Sequence, residues 1–202
     1  MKYAHISSFL NNPKDVWDVL LKGMKEVMDK AKPNKAHIGL AKLEQWGYLS
    51  TVITQNVDGL HQMAGNTDVI EYHGSFARNY CMECQKNIMI SEIKLDSTPP
   101  KCSCGGLIRP DCVFFGEEIP YDNIMRSLEI VQSCDIMLVI GTSAVIHPAA
   151  MIPENAKQYG AKVIEINPES TPLTGRVSDY ILKGPAGEIM DKLIVEIERI
   201  RN

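Results

Sequence analysis

An α/β fold on a parallel sheet, with a small cysteine-rich module inserted, is what this 202-residue chain predicts. Three observations carry that expectation. Residues 134–140, Cys-Asp-Ile-Met-Leu-Val-Ile, are apolar almost without a break, as a strand covered on both faces of a parallel sheet should be. Lys162–Ile166 repeats the pattern after an intervening helix, roughly Pro148 to Tyr159. Strand, helix, strand over about thirty residues is a βαβ unit, whose crossover is right-handed. Between Cys81 and Ile108 both helix and strand periodicity fade around two cysteine pairs, which marks the inserted module.

The other elements follow in order. Asn12-Pro13 opens a helix, with Asn as N-cap and Pro at the first helical position. Val16, Val19, Leu20, Met24, Val27 and Met28 recur at helical spacing as its buried stripe, and Lys32-Pro33-Asn34 stops it. A second helix carries Ile38, Leu40, Ala41 and Leu43 and ends near Gly47, with His37 at its start read as a packed or capping side chain. Thr51–Thr54, Val69–Tyr72 and Cys112–Phe115 are strand candidates. After the βαβ unit come a short strand, Tyr180–Leu182, and a final helix from about Pro185 to Arg201.

Composition narrows the class. The hydrophobic fraction is 45%, the charged fraction 23% and the net charge −4, so no basic field exists to hold nucleic acid or an anionic membrane. No apolar run approaches the ~20 residues of a membrane span. Met1-Lys2-Tyr3-Ala4-His5 lacks the apolar core of a secretory signal. A cytoplasmic protein with reduced cysteines is expected, which favours metal binding over disulfides.

Cys81-x-x-Cys84 and Cys102-x-Cys104 lie seventeen residues apart. Two tight thiolate pairs match tetrahedral zinc, and four sulfur ligands leave no open position for water, so such a site is structural. Buried thiols without metal are the alternative. Cys112 and Cys134, in expected strands, read as small core residues. Gly141-Thr142-Ser143 follows the most apolar strand and precedes a helix, the place where parallel sheets bind phosphates. Asn167 stands just past the next strand, where nucleotide folds put a ribose-binding side chain; no Gly-x-Gly-x-x-Gly accompanies them. Asn56, Asp58 and His73 are the polar residues expected to face a ligand, His73 as general base. The alternative for Asn56 and Asp58 is that they cap a short helix starting at Val57.

Together, Thr54–His61, Glu71–Gly74, Arg109–Glu117 and Gly141–Ser143 resemble one family closely: the sirtuins, NAD-dependent protein deacylases. The resemblance spans essentially the whole chain. It implies a Rossmann-like NAD-binding domain, residues 1–80 and 109–202, with an inserted zinc module at 81–108, and substrate and NAD meeting in the cleft between them. His73 matches the catalytic histidine, which takes a proton from the nicotinamide ribose, and Gln55 the residue contacting that ribose. Asn56 and Asp58 match the pair lining the nicotinamide pocket. Val113, Phe115, Gly116 and Glu117 match the segment against which acyl-lysine peptides lie. Gly141, Thr142, Ser143, Asn167, Pro185 and Ala186 match the phosphate, ribose and adenine contacts, and Cys81, Cys84, Cys102 and Cys104 the zinc ligands. The implied reaction transfers the acyl group of an acetyl-lysine protein to ADP-ribose. The acyl oxygen displaces nicotinamide, and His73 helps resolve the alkylimidate that results.

One departure is large. Sirtuins open with a strand, a Gly-Ala-Gly-x-Ser turn and a loop carrying Asp-Phe-Arg, which wrap the pyrophosphate and close over nicotinamide. None of the three occurs here: Phe9, Pro13 and Trp17 resemble the helix that follows that loop. About forty to fifty residues of a typical domain, including its first strand, are therefore expected to be missing. A segment supplied from elsewhere, a misplaced start and a degenerate product are all compatible with that expectation. So is the alternative function, an impaired sirtuin that holds zinc and acyl-lysine peptide without productive NAD turnover. Sirtuins acting on acidic acyl groups carry Tyr-x-x-Arg in the first helix; aligned on Trp17, this chain has Leu20-Leu21-Lys22-Gly23 there.

Overall fold

The computed structural model describes Lys2–Arg201. Its helices are α1 (Ile6–Asn11), α2 (Pro13–Val16), α3 (Lys22–Met28), α4 (Lys35–Gln45), α5 (Leu60–Ala64), α6 (Tyr121–Ser133), α7 (Ile152–Gln158) and α8 (Ala186–Arg201). The strands are β1 (Val52–Thr54), β2 (Val69–Glu71), β3 (Gly74–Cys81), β4 (Asn87–Met89), β5 (Ile108–Cys112), β6 (Ile136–Ile140), β7 (Lys162–Asn167) and β8 (Tyr180–Lys183). Residues group into two compact units: Met1–Lys32, Thr54–Gly59 and His73–Pro120 in the first, Pro33–Ile53, Leu60–Tyr72 and Tyr121–Asn202 in the second. Among the described residues, no helix is long and apolar enough to cross a membrane.

In the first unit, Asn12 caps α2 as expected, its side chain accepting from the Asp15 N–H, with Pro13 in the first turn. Helix α1, which the sequence reading did not separate, is capped by His5, whose Nδ1 accepts from the Ser7 N–H at 3.2 Å. Between α2 and α3, Trp17–Leu21 forms a π-turn. Its i→i+5 bonding adds a residue to the helical register and rotates the buried face. The stripe therefore runs through Val16, Trp17 and Leu21, whereas Val19 and Val27 are 59% and 70% exposed, against expectation. Trp17 Nε1 donates to the Ile108 carbonyl at 3.2 Å, and Phe9, Phe76, Ile108 and Phe114 complete this core.

The sheet of this unit is antiparallel, in the order β4-β3-β5, with Cys81 opposite Ile108 and Gly74 opposite Cys112. The expected strand Cys112–Phe115 is displaced: β5 ends at Cys112 and the chain leaves the ladder. Phe115 pairs elsewhere, its N–H donating to Ala4 O at 2.9 Å and its carbonyl accepting from Ile6 N at 3.0 Å.

In the second unit, β1 pairs with β2, and β6-β7-β8 form the parallel sheet, with Ile140 opposite Ile166 and Asn167 opposite Lys183. Helix α7 makes the crossover, so the βαβ expectation holds. Coverage of β6 on both faces does not. Ile136 is 57% exposed and Val139 is the buried residue of the strand, because β6 lies at the edge of its sheet with β7 as its partner. Helices α4 and α8 pack through Leu40, Leu43, Met190 and Ile194 onto Ile166. Gly39 permits the close approach, since a Cβ there would meet Ile194 Cγ1 at 3.2 Å. Helix α6, unassigned from sequence, is tied to β2 by Asn123 Nδ2 donating to Glu71 O at 2.8 Å.

Candidate active site and sulfur centre

His73 sits between buried Tyr72 and Gly74, where the chain turns into β3. Gly74 has φ +74°, and a Cβ there would lie 2.0 Å from Asp111 O, so only glycine fits. The His73 carbonyl accepts from Val113 N at 3.0 Å. Its Nδ1 lies 3.2 Å from the Gln55 carbonyl. A carbonyl can only accept, so Nδ1 carries the proton and Nε2 is the basic nitrogen. Burial pulls the imidazole pKa below its ordinary 6.5, against the opposing pull of the Gln55 carbonyl. His73 is thus neutral at pH 7. A reaction using it as base should keep its rate as pH falls through 6.5 and lose it on the acid side of that value. A profile of kcat/KM against pH checks this; a midpoint above 6.5 contradicts it.

The loop before it is fastened to the same unit. Asn56 N–H donates to Thr54 Oγ1 at 3.1 Å, and Val57 O accepts from Phe76 N at 3.0 Å. Helix α5 begins at Leu60, so Asn56 is not its cap; the side chain of Asn56 is exposed. Gln55, Asn56, Asp58 and His73 therefore belong to one unit with Val113, Phe115, Gly116 and Glu117. The Phe115 side chain is 48% exposed. Gly116, at φ +88°, lies so close to His5 that a Cβ would meet its Nε2 at 2.7 Å.

The other expected binding residues gather at the carboxyl ends of β6, β7 and β8, where parallel sheets receive ligands. Gly141 has φ +61° and donates its N–H to Ile166 O at 3.0 Å. Thr142 Oγ1 accepts from Ala144 N at 3.1 Å, and Asn167 Nδ2 donates to Thr142 O at 2.7 Å. Asn167 is the last residue of β7 rather than just past it. Gly184 N–H donates to Asn167 O at 3.2 Å, and Pro185 O accepts from Glu188 N at 3.0 Å to start α8 beside Ala186. Ser143 continues the Gly141-Thr142 turn.

Cys81, Cys84, Cys102 and Cys104 bring their sulfurs within 4.8 Å of one another. Cys81–Cys104 is 3.5 Å and Cys84–Cys102 is 3.8 Å. Tetrahedral zinc at ~2.3 Å bonds requires sulfur edges of about 3.8 Å, so the donor set and spacing fit. The Cys102-x-Cys104 turn is closed by Cys102 N donating to Gly106 O at 2.9 Å. Gly105 has φ +90°, and a Cβ on Gly106 would sit 2.6 Å from Cys81 Sγ. The Cys104 N–H pulls the Cys102 thiol down to about 6. Although the Gly106 N–H favours its thiolate, the neighbouring Cys81 and Cys84 sulfurs hold Cys104 up at about 11. Such a cluster parts with protons readily on meeting a cation. Cys112 and Cys134 stand outside it.

The residue that sequence reasoning passed over is Arg109, which is 6% exposed. Its only signal in the sequence was an arginine eight residues before a glutamate, inside the segment that carries the family resemblance.

Comparison with known proteins places these features in context. The Sir2 family model matches residues 2–148. NAD-dependent protein deacylase 1 of Archaeoglobus fulgidus is 43% identical over 197 residues, covering 97% of this chain and 80% of the relative. The structure of a Sir2 homolog–NAD complex superposes with a TM-score of 0.92 at 42% identity, covering 100% of this chain and 78% of that one. A Sir2 bound to acetylated peptide superposes with a TM-score of 0.91 at 34% identity, covering 98% of this chain and 84% of that one.

Proposed function

This chain belongs to the Sir2 family, and from that premise we propose which of its residues carry out the family's reaction. It is an NAD-dependent protein deacylase, moving the acyl group of a modified lysine to ADP-ribose with release of nicotinamide. NAD supplies the bond whose cleavage drives the transfer. His73 is the general base, with Nε2 taking a proton from a ribose hydroxyl. Gln55 aims that imidazole through its carbonyl. Asn56 and Asp58 line the nicotinamide side. Gly141, Thr142, Ser143, Asn167, Pro185 and Ala186 hold the nucleotide, with Asn167 bracing the Thr142 carbonyl. Val113, Phe115 and Gly116 receive the acyl-lysine peptide. The four cysteines hold zinc as a structural ion, in a module at residues 81–108 set into a nucleotide-binding domain of residues 1–80 and 109–202.

The observation that carries this reading is the hydrogen-bonded chain Gln55–His73–Val113. It joins Gln55, His73 and Val113 within one unit, which supports reading them as nicotinamide loop, base and peptide segment. Mass spectrometry of an acetyl-lysine peptide incubated with and without NAD tests it. Loss of acetyl with stoichiometric nicotinamide supports the reading; NAD-independent loss, or none, overturns it.

Acyl preference follows from the first helices. Leu20 packs against the apolar core, Gly23 has no side chain, and Lys22 Nζ donates to Asp18 Oδ1 at 3.0 Å, so the two positions of the motif offer no partner for a distal carboxylate. A succinyl group would forgo a charge-assisted hydrogen bond, which is typically about 1.5–3 kcal/mol. Acetyl-lysine peptide should react at least about 10-fold faster than its succinyl counterpart, a factor equal to about 1.4 kcal/mol. Equal initial rates on matched peptides would contradict this.

A further inference from the structure

We propose that Arg109 and Glu117 form a positioning pair that holds the peptide-receiving segment in shape, an inference resting on the assignment of Val113–Gly116 above. The guanidinium lies at the centre of this segment's hydrogen bonds. Its Nη1 donates to Glu117 Oε1 at 2.7 Å and its Nη2 to Glu117 Oε2 at 2.8 Å. Nη2 also donates to Cys112 O at 3.0 Å, and Nε to Pro110 O at 3.3 Å. The second carboxylate oxygen takes the Phe114 N–H at 2.9 Å, while Glu117 N–H returns to Phe114 O at 3.0 Å. Phe9, Tyr80 and Phe114 stand around the guanidinium, their centroids 5.8, 5.5 and 5.1 Å from Cζ.

The carboxylate of Glu117 is therefore turned inward, onto the arginine and the backbone, and acts on a peptide through the loop it closes. The same loop begins at Val113, whose N–H binds the His73 carbonyl, so its shape also bears on where the base stands. A planar fork reaching two carbonyls and both carboxylate oxygens is something lysine cannot reproduce, although it keeps the charge. Burial disfavours the charged forms of both partners. Their mutual hydrogen bonds prevail, holding the Glu117 carboxyl below and the Arg109 guanidinium above their ordinary values.

The test uses the full chain with Arg109→Lys and, as the milder change, Glu117→Gln, which keeps size and one acceptor oxygen. Acetyl-peptide affinity is read by calorimetry and peptide KM, kcat and NAD KM by steady-state kinetics, beside metal content and melting temperature. Arg109→Lys should weaken peptide binding about 10-fold or more, with NAD KM within twofold and metal retained. Glu117→Gln should fall between it and the parent, and added guanidinium should recover part of the loss in Arg109→Ala. Unchanged peptide affinity in a folded Arg109→Lys or Glu117→Gln variant overturns the proposal. So does a parallel fall in peptide affinity, NAD affinity and melting temperature, which marks a merely structural pair. Because peptide affinity is read apart from turnover, an unreactive parent that binds peptide would refute the assigned reaction and leave this pair testable.

Discussion

Replacing His73 with alanine should lower peptide deacylation by about 10²–10⁴-fold, the usual cost of losing a general base. Metal content and melting temperature should stay at parent values. The side chain is half-buried and its Nδ1 contact reaches a loop carbonyl, while the anchoring of the segment runs through backbone: His73 O to Val113 N, and Gly74 against Asp111. Alanine keeps those backbone bonds. His73→Gln should be nearly as slow, since an amide can occupy the space and cannot take a proton. Initial rates on acetyl peptide, with a thermal melt of each variant, provide the check. Near-parent turnover by His73→Ala would remove the base from this mechanism.

Removing metal from the four-sulfur centre should have a still larger effect, on folding rather than on a single step. Cys81 is 0% exposed and Cys102 is 8% exposed, and both belong to the core that includes Trp17, Phe76 and Ile108. Structural zinc contributes an apparent ~10–16 kcal/mol in small peptides, comparable with or above the ~5–15 kcal/mol stability of a whole domain. Chelation, or Cys81→Ala, should therefore abolish the cooperative melt of the first unit together with activity. Cys134→Ser, outside the cluster, should leave metal stoichiometry at one ion per chain. Metal analysis and circular dichroism decide it: a metal-free chain with an unchanged melt would contradict a folding role for the ion.

The readable parts of the sequence were those set by local rules. Asn12-Pro13 announced a helix start because capping involves side chains within three residues, whereas Asn34, read only as a helix stop, also caps α4. His37 indeed completes a capping box with Asn34. The four cysteines were legible because thiolate pairs at close spacing have few other uses, and the structure gathers them. The parallel unit was legible in Lys162–Ile166, where Val163 and Ile166 are fully buried. What stayed hidden depends on partners distant in sequence or on a shift of register. A single π-turn at Trp17–Leu21 moved the buried face off Val19 and Val27. The apolar composition of Ile136–Ile140 says nothing about which strands lie beside it. Helix α6 was missed although Ser127 and Val131, one turn apart, form its buried face. The seat of Arg109 draws rings from Phe9, Tyr80 and Phe114, and only folding brings those together.

Strand β3 carries a last consequence. It starts immediately after His73 and ends at Cys81, eight residues on. Its ends pair with Cys112 and Ile108, only four residues apart on β5 because β3 is irregular between Ser75 and Asn79, so at about 3.3 Å per residue they stand roughly 13 Å apart, beyond the ~8–10 Å reach of an exposed charge at moderate ionic strength. The four-sulfur cluster and His73 are too far apart to feel each other strongly through solvent, yet one strand joins them. Oxidation of the sulfurs should loosen one end of that strand, whose other end adjoins His73. Deacylation, with no redox step of its own, should therefore slow after peroxide treatment; an unchanged rate in a chain whose cluster thiols are oxidised, read by mass spectrometry, would contradict this.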